Sequence, residues 1–408
     1  MDNIRIKMVA ADIINAAFRT WGDDMYMKTS LSTLAASLGI TKPALYRYFK
    51  DKDELLGSML DCYIQAHTKA TAEVLPKLES MSFRDGFAAY AKSMFNFYSK
   101  NRGYFYFAAR FLLERKHPFH ERILSVVVAE AAAFTKVLHA QTELTEKQIE
   151  LVLTTGYTHL LFWCELLVGK NKIQFPGGIA SGMQAMTDSL FDGFFTGIEP
   201  SDFHPGKIES AIDLDESELP KSDPRIEAIM EVIAREGFHK ASISKIAQAL
   251  NISKSSLYSL FKDKREMLAK VMRSYREMLN ATGTAKLACL DMPFDRFYGY
   301  FYFVLLSFVK DEKKAKFLNW LRFQNIQPHE GKAGFNFEAH QAVRDVFAAS
   351  MVNHRGLDAR YLDGCFRVQL VRAVLEKMDR KEDLKDVFSD FREIFSYLTF
   401  GLEKTLGI

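Results

Sequence analysis

The sequence predicts an all-α protein made of two similar halves. The chain has 408 residues, more than one hydrophobic core usually organises, so two domains or two pairs of domains are expected. The segment LYRYFKDKDELL at residues 45–56 returns as LYSLFKDKREML at residues 257–268 without a gap. Apolar residues around both copies recur at steps of three and four, which is the spacing of one helix face.

The repeat extends beyond this short segment. The same offset of 212 residues pairs Ser30 with Ser242 and Lys42 with Lys254. About half of the positions from 29 to 56 are identical to their counterparts, which indicates duplication and fusion of a whole protein. The stretch between the halves, residues 198–224, is rich in Pro, Ser and acidic residues and lacks periodicity, so it is predicted to be a linker.

Bulk composition narrows the class of protein. The net charge is only +3, so any basic surface for nucleic acid must be local. The four cysteines lie far apart without metal-ligand spacing, which indicates a reduced compartment. The N-terminus carries charges where a signal peptide is apolar, and the most apolar run, residues 297–309, is too short to span a bilayer. We therefore expect a cytoplasmic protein with no membrane partner.

Each copy of the repeat has the pattern of two helices joined by a tight corner. In the first copy Leu34 belongs to an apolar helix face that ends at Gly39, and Asn251 takes the place of this glycine in the second copy. Gly and Asn are the residues that most readily accept a left-handed backbone. Thr41 and Ser253 are good N-caps for the helix that follows. The pattern is that of a helix-turn-helix.

A further helix is expected directly after this motif. In each copy its start is predicted by two acidic residues three positions apart, which is a variant of the capping box. The pairs are Asp51 with Glu54, and Asp263 with Glu266. Lys52 and Lys264 follow the caps at the helix N-terminus, where free N–H groups favour an anion. A DNA phosphate would suit this position.

This combination of cap, small outward residues, LYxxF and KDKxxL resembles the TetR family of bacterial transcriptional regulators in both halves. Residues 236–250 resemble the family's lead-in to the motif, whereas the first copy departs from it with the longer WGDDMYMKTS. Family subunits are shorter and act as dimers, so the resemblance implies both subunits in one polypeptide. Each unit is then a three-helix DNA-binding domain followed by a helical ligand-binding and dimerisation domain, and the two units pack as an intramolecular pseudo-dimer.

The resemblance also implies domain boundaries. The first helix-turn-helix domain is placed at residues 1–52 and its regulatory domain at 53–198. A linker at 199–222 leads to the second helix-turn-helix domain at 223–264, which is followed by a regulatory domain at 265–408.

Family resemblance assigns DNA-binding roles by position. In the first copy the candidate base readers are Lys42, Pro43, Ala44 and Arg47, and the candidate phosphate ligands are Thr41, Tyr46, Tyr48 and Lys52. Arg47 is the best candidate for reading guanine. For Tyr46 and Tyr258 the alternative is a structural tyrosine whose hydroxyl satisfies a backbone group.

The second copy has different chemistry at the same positions. Its candidate DNA-binding residues are Ser253, Lys254, Ser255, Ser256, Tyr258, Ser259 and Lys264. Leu260 replaces Tyr48, where the family prefers His or Tyr, so one phosphate contact is lost. Because Arg47 corresponds to Ser259, we expect two unlike half-sites about one helical turn apart, ~34–36 Å. We call each helix-turn-helix unit a head. The alternative is that the second head no longer binds DNA and is retained only because it packs against the rest of the protein.

The remainder of each half is expected to be a helical sensor and dimerisation domain. Apolar stripes at helical spacing run through residues 153–167, 179–190 and 384–398, and such stripes suit helices that pack in pairs. In separate subunits these helices would meet across a two-fold axis. Here the equivalent helices of the two halves can make a four-helix contact within one chain.

The predicted effector is an unknown small hydrophobic molecule bound between helices. The candidate contacts are aromatic side chains: Phe97, Tyr98, Tyr106, Phe107, Phe111 and Trp163 in the first half, with Phe303, Phe308, Phe317 and Trp320 in the second. An aromatic stripe at helical spacing is a weak signal, and each residue is individually more typical of plain core.

No catalytic pattern accompanies these features. Histidines such as His117, His159 and His340 lack a paired ligand at i+3 or i+4 and stand beside no Ser/His/Asp or phosphate-binding motif. We therefore expect a regulator rather than an enzyme, with no cofactor, whose partners are a double-stranded DNA operator and the effector. The competing interpretation is a ligand-binding or protein-interaction module in which one or both helix-turn-helix units no longer read DNA.

Overall fold

The expected all-α class is confirmed by a computed structural model of the chain. It describes residues 10–23, 26, 30–113, 117–169, 173–212, 214–219, 223–236, 241–311, 339–380 and 383–408. Within these residues there are 18 α-helices and no β-strand. The chain divides into two compact units, residues 1–188 and 189–407.

Nine helices begin within the described residues of the first unit, and the second and third of them are the shortest. They are α1 (Ala10–Asp23), α2 (Leu31–Ser37), α3 (Lys42–Leu45), α4 (Lys52–Thr71), α5 (Phe83–Lys100), α6 (Arg102–Leu113), α7 (His120–Gln141), α8 (Glu146–Val168) and α9 (Gly178–Phe191), whose last three residues belong to the second unit. Phe18 of α1 packs edge-on against Tyr104 and Phe107 of α6, with ring centroids 4.5 and 5.3 Å apart. These ring contacts join the N-terminal helices to the long-helix core.

Nine helices lie within the described residues of the second unit. Its helices are α10 (Pro205–Ala211), α11 (Pro224–Glu236), α12 (Ile243–Ala249), α13 (Lys254–Leu260), α14 (Lys264–Leu287), α15 (Pro293–Lys310), α16 (Gln341–Ala348), α17 (Ala359–Arg380) and α18 (Leu384–Leu406). The core is aromatic: Phe297 of α15 lies 4.9 Å from Phe366 of α17 and 5.8 Å from Phe395 of α18, centroid to centroid. The apolar run at 297–309 is thus part of a helix with most of its side chains buried.

A close approach of two backbone segments in the second unit requires glycine. The amides of Phe194 and Phe195 donate to the carbonyls of Leu398 and Thr399 at 3.0 and 2.9 Å. Gly401 has φ +84° inside α18, and a Cβ there would lie 2.2 Å from the carbonyl oxygen of Phe191. A side chain at this point would therefore both clash and strain the backbone.

The segment predicted to be a linker is folded over much of its described length. Residues 200–202 form a 3-10 turn, α10 follows, and Ile212 is fully buried. Phe203 packs edge-on against Tyr298, with centroids 4.9 Å apart. Glu209 accepts hydrogen bonds from the guanidinium of Arg392 on α18. These contacts pack residues 200–212 against the second unit, and we call this segment the packed strap. Its Pro, Ser and acidic composition gave no sign of these contacts.

Two helices of the first unit, α7 and α8, are long and apolar enough to cross a bilayer by length and composition alone. The apolar window of α8 is 67% buried within the protein and that of α7 28%. Core helices of soluble proteins pass the same test, so these two helices are weak evidence for a membrane segment.

Candidate nucleic-acid interface

The corner between the first two helices of the motif has the predicted backbone in both copies. Gly39 has φ +66° and Asn251 has φ +53°, both in the left-handed region. No atom lies within 4 Å of a Cβ built on Gly39, so the need for glycine or asparagine is conformational rather than steric. Beneath the first corner, Leu34 and Ala35 are buried.

The second helix of the first copy, α3, has a single turn. The amide of Ala44 donates to Oγ1 of the N-cap Thr41 at 3.4 Å, and Pro43 lies in the first turn, where its missing N–H costs nothing. Tyr46 is already the C-cap. Leu45 is anchored in the core at 2% exposure. A buried leucine and the cap thus hold a short segment whose other side chains point outward.

The outward side chains of the first copy form one exposed surface. The residues exposed there are Thr41, Lys42, Pro43, Tyr46, Arg47, Tyr48 and Lys52, and Ala44 is half-buried. The ammonium of Lys42 lies 5.9 Å from the ring centroid of Tyr46, over its face. The hydroxyl of Tyr46 makes no hydrogen bond to the residues that the structure describes, so it is not used as a structural anchor there. A tyrosine hydroxyl held this way can donate to a phosphate oxygen.

The second copy presents a longer helix with hydroxyl groups. α13 has seven residues against four in α3, although the sequence pattern predicted equivalent helices. The amide of Ser256 donates to Oγ of the N-cap Ser253 at 3.0 Å. Ser253 Oγ also lies 2.7 Å from Ser255 Oγ, and Ser259 donates its hydroxyl proton to the carbonyl of Ser256 at 2.7 Å. These hydroxyls face solvent but are partly satisfied within the helix itself.

Tyrosine and leucine occupy matching exposed places on the two heads. Tyr48 is 39% exposed and Leu260 is also 39% exposed, while Tyr258 reaches 55%. The substitution of Leu260 for Tyr48 therefore changes the chemistry of an exposed position and leaves its degree of exposure unchanged. An exposed leucine offers apolar contact, such as the methyl group of thymine, and no contact with phosphate.

The capping pairs that follow the motif form as expected. The amide of Glu54 donates to Asp51 at 2.9 Å, and the amide of Glu266 donates to Asp263 at 2.8 Å. The glutamate carboxylates accept in turn from the backbone amides of Lys50 and Lys262. Several backbone amides near the N-termini of α4 and α14 therefore already donate to carboxylates. A phosphate at these helix starts would have to be bound by the lysine side chains.

The lysines at these helix starts differ in burial. Lys52 is exposed, whereas Lys264 is half-buried, and burial lowers the pKa of its ammonium below the usual value. The first copy therefore offers the more accessible cation at this place.

All the aromatic effector candidates that the structure describes lie in the cores of their units. Phe97, Tyr98, Tyr106, Phe107, Phe111 and Trp163 are buried in the first unit, as are Phe303 and Phe308 in the second. Phe317 and Trp320 lie outside the described residues. Phe97 stacks on Tyr104 at 5.1 Å, and Tyr106 donates its hydroxyl proton to Glu165 at 3.2 Å. The arrangement is that of a packed aromatic core with a few polar groups.

Sequence reasoning missed a buried polar network in the first unit. His67 bridges the hydroxyl of Tyr63 at 2.9 Å and the carboxylate of Glu130 at 2.8 Å. Tyr90 donates to the other oxygen of Glu130 at 2.6 Å, and all four side chains are buried. The one available signal was local: Tyr63 and His67 are four residues apart on the buried face of α4.

The described residues contain no group of three or more His, Cys, Asp or Glu side chains that could hold a metal ion. The chemistry on the surface is hydrogen bonding and positive charge, carried by two similar capped helices. It matches what a major-groove reader needs.

A comparison with models of known protein families gives a match at two places in the chain. The family model for bacterial regulatory proteins of the TetR family matches residues 13–59 and again residues 226–271. No curated protein matches the chain. The first match spans α1 to the first turns of α4, and the second spans the corresponding helices α11 to α14. Each half of the chain therefore contains a region that matches the TetR family of regulatory proteins, and the chain carries two TetR-like units in tandem.

Proposed function

We propose that this TetR-type DNA-binding regulator is a repressor that binds its operator through both heads of one cytoplasmic chain and is released by a small hydrophobic effector. The observation that carries the proposal is the doubled helix-turn-helix, each copy with a left-handed corner, a hydroxyl cap and an exposed reading face. In such a protein the two halves replace the two subunits of a dimer. Dimer dissociation then no longer affects operator affinity.

The two heads are proposed to read different sequences. Arg47 offers the planar fork of donors that pairs with O6 and N7 of guanine. Ser259 occupies the corresponding position, and its hydroxyl donates a hydrogen bond to the carbonyl of Ser256. The Ser259 oxygen is therefore left mainly as a hydrogen-bond acceptor towards a base. A non-palindromic pair of half-sites follows from this difference.

Local charge favours retained DNA binding by the second head. Residues 242–268 contain five Lys or Arg and two Asp or Glu, whereas residues 30–56 contain four and three. A head kept only for packing has no need of this excess of positive charge at the capped helix. Phosphate attraction is therefore proposed for both heads, with base reading strongest in the first.

Release by an effector is proposed to be a shift between two populations. A ligand that binds better to a state whose heads do not fit the operator lowers operator affinity by the ratio of its two affinities. The aromatic interiors of the regulatory domains supply apolar surface for such a ligand.

The test is selection of genomic fragments by the intact chain, followed by anisotropy titrations over a salt series. Specific binding should show log K falling steeply with log salt, and the selected site should contain two unlike halves. Arg47→Ala should weaken binding by about 1–3 kcal/mol and relax preference in one half-site. Ser259→Arg should make the selected halves more alike. Lys77→Ala, on the exposed 3-10 turn Leu75–Ser80, is the matched control for losing a positive charge.

Two outcomes would contradict the proposal. A flat salt response without an enriched sequence would remove DNA reading and favour an interaction module. Retained binding with an unchanged site in Arg47→Ala combined with Tyr46→Phe would show that the first head does not read DNA.

A further inference from the structure

Helix α7 of the first unit exposes an uncharged and mostly apolar face. The exposed side chains of its middle turns are Ser125, Val128, Ala129 and Ala132, and Val128 is 56% exposed. Ser125 and Ala129 are four positions apart, as are Val128 and Ala132, so the four side chains lie along one side of the helix. We call them the α7 stripe. Only 28% of the apolar window of α7 is buried, so packing within the chain leaves this side of the helix open to solvent.

No exposed charge interrupts the α7 stripe. Between Arg122 and Lys136 the sequence has a single charged residue, Glu130. Glu130 is 4% exposed, and its carboxylate bonds inward to His67 at 2.8 Å. The outer face of a surface helix is usually charged or polar, so an uncharged stretch of this length is a candidate contact surface.

Opposite charges lie at the two ends of the stripe. Glu121 lies one turn before the stripe and Lys136 one turn after it, and both side chains are exposed. Neither makes an ion pair with a residue that the structure describes. Arg122, by contrast, is already paired with Asp61 of α4 at 2.6 Å. The stripe thus has one acidic and one basic end, and both are available to a partner.

The order of these residues is self-complementary when two copies of α7 run antiparallel. With the two-fold axis between Val128 and Ala129, each exposed position of one copy faces an exposed position of the other. The facing pairs are Val128 with Ala129, Ser125 with Ala132, and Glu121 with Lys136. Opposite charges then meet at both ends of the contact, whereas a parallel pairing would place like charges together. Charge complementarity therefore selects a second copy of the chain as the occupant, and the antiparallel direction.

We propose that two copies of the chain associate through the α7 stripe, with the two α7 helices antiparallel across a two-fold axis. The contact extends from residue 121 to 136, which is roughly 22 Å of helix. Small side chains near the axis allow the helix axes to approach to about 8 Å, the lower end of the usual spacing. One pair of helices buries less surface than a standard interface, so the association is weak and depends on concentration. Cooperative occupation of two operators by such a pair rests on the proposed function, whereas association itself does not.

The experiment is sedimentation equilibrium of the full chain at about 1–100 μM without DNA. The average mass should rise from one chain towards two, with a Kd in the same range of about 1–100 μM. Val128→Glu places two carboxylates beside the axis and should weaken association by about tenfold or more. The matched control is Val368→Glu, at another exposed helical valine, which is 45% exposed on α17. This variant should associate as the parent does.

Reversal of the end charges tests the antiparallel direction. Glu121→Lys replaces attraction by repulsion at both ends of the contact, so it should weaken association by about three- to tenfold. Addition of Lys136→Glu restores opposite charges and should return the Kd to within about threefold of the parent value. Circular dichroism of each variant checks that the chain is folded. Recovery in the double variant is expected only if Glu121 of one copy lies beside Lys136 of the other.

Three results would overturn the proposal: a single copy at every concentration, a folded Val128→Glu variant that associates as the parent does, or a double variant that does not recover. Flotation with phosphatidylcholine vesicles identifies the other apolar occupant. Vesicle binding by a single copy, abolished by Val128→Glu, would assign the stripe to lipid and also overturn the pairing. Because no measurement contains DNA, absence of specific DNA binding removes the proposed function and leaves this result readable.

Discussion

In the first unit the hydroxyl of Tyr90 donates to a carboxylate, that of Glu130, whereas in the second unit the hydroxyl of Tyr300 accepts from a guanidinium, that of Arg367. Each tyrosine lies eight residues after the N-cap of its aromatic helix, Ser82 for α5 and Met292 for α15. Both cores thus bury a tyrosine in this helix, but its hydroxyl bonds to a carboxylate in the first unit and to a guanidinium in the second.

The two heads differ much less in their backbone. Both have a positive-φ corner, a hydroxyl N-cap on the second helix and an aspartate N-cap on the long helix that follows. The corner and the caps determine the orientation of the second helix of each head. Duplex DNA has nearly the same groove shape at every site, so this orientation would be the same for both heads. The comparison indicates that the geometry of the heads was retained after duplication while the interiors diverged toward different polar chemistry.

Removal of Glu130 should have the largest effect on the stability of the first unit. Glu130→Ala leaves buried His67 and Tyr90 without their shared acceptor, so the free energy of unfolding should fall by about 3–5 kcal/mol. Urea unfolding followed by fluorescence measures it. The control is Glu146→Ala, whose ion pair with His139 is exposed and should contribute less than about 1 kcal/mol. Equal losses in the two variants would show that the network is not a stabilising unit.

Acid should destabilise the second core through His340. Its pKa of about 4 in the folded chain lies below the ordinary value of 6.5, so the unfolded chain binds the proton first. Stability is therefore present above about pH 6.5 and is lost as pH falls towards 4. His340→Asn keeps an N-cap acceptor and removes the titrating ring, so its Tm should fall less steeply between pH 6.5 and 4.5 than that of the parent. Parallel Tm curves would contradict this assignment.

The local features of the heads could be predicted because a few neighbouring residues determine them. A cap depends on a hydroxyl or carboxylate and an amide three residues on, and Thr41, Asp51 and Asp263 all cap as the sequence indicated. The length of the second helix could not be read in the same way. Tyr46 ends α3 at one turn, although Tyr258, its counterpart, lies within α13.

The interiors could not be predicted because their partners are distant in the chain. His67 and Glu130 are 63 residues apart, and Tyr300 and Arg367 are 67 apart, so no spacing rule connects them. The packed strap is similar: Phe203 and Ile212 anchor it in the second unit, yet single apolar residues among Pro, Ser and acids carry no periodicity. Tertiary packing decides both cases.

The smallest effects test whether the two corners are equivalent. Gly39→Ala places a side chain at φ +66° without a clash, so only backbone strain of about 1–2 kcal/mol should be added to the first head. Asn251→Gly removes a tolerated side chain at φ +53° and should change stability by less than about 0.5 kcal/mol. Unfolding and operator titrations of both variants measure this difference. Because the corner sets the angle of the second helix, Gly39→Ala should also weaken operator binding more than Asn251→Gly does. Equal effects would mean that the corners are not under the conformational constraint inferred from their φ angles.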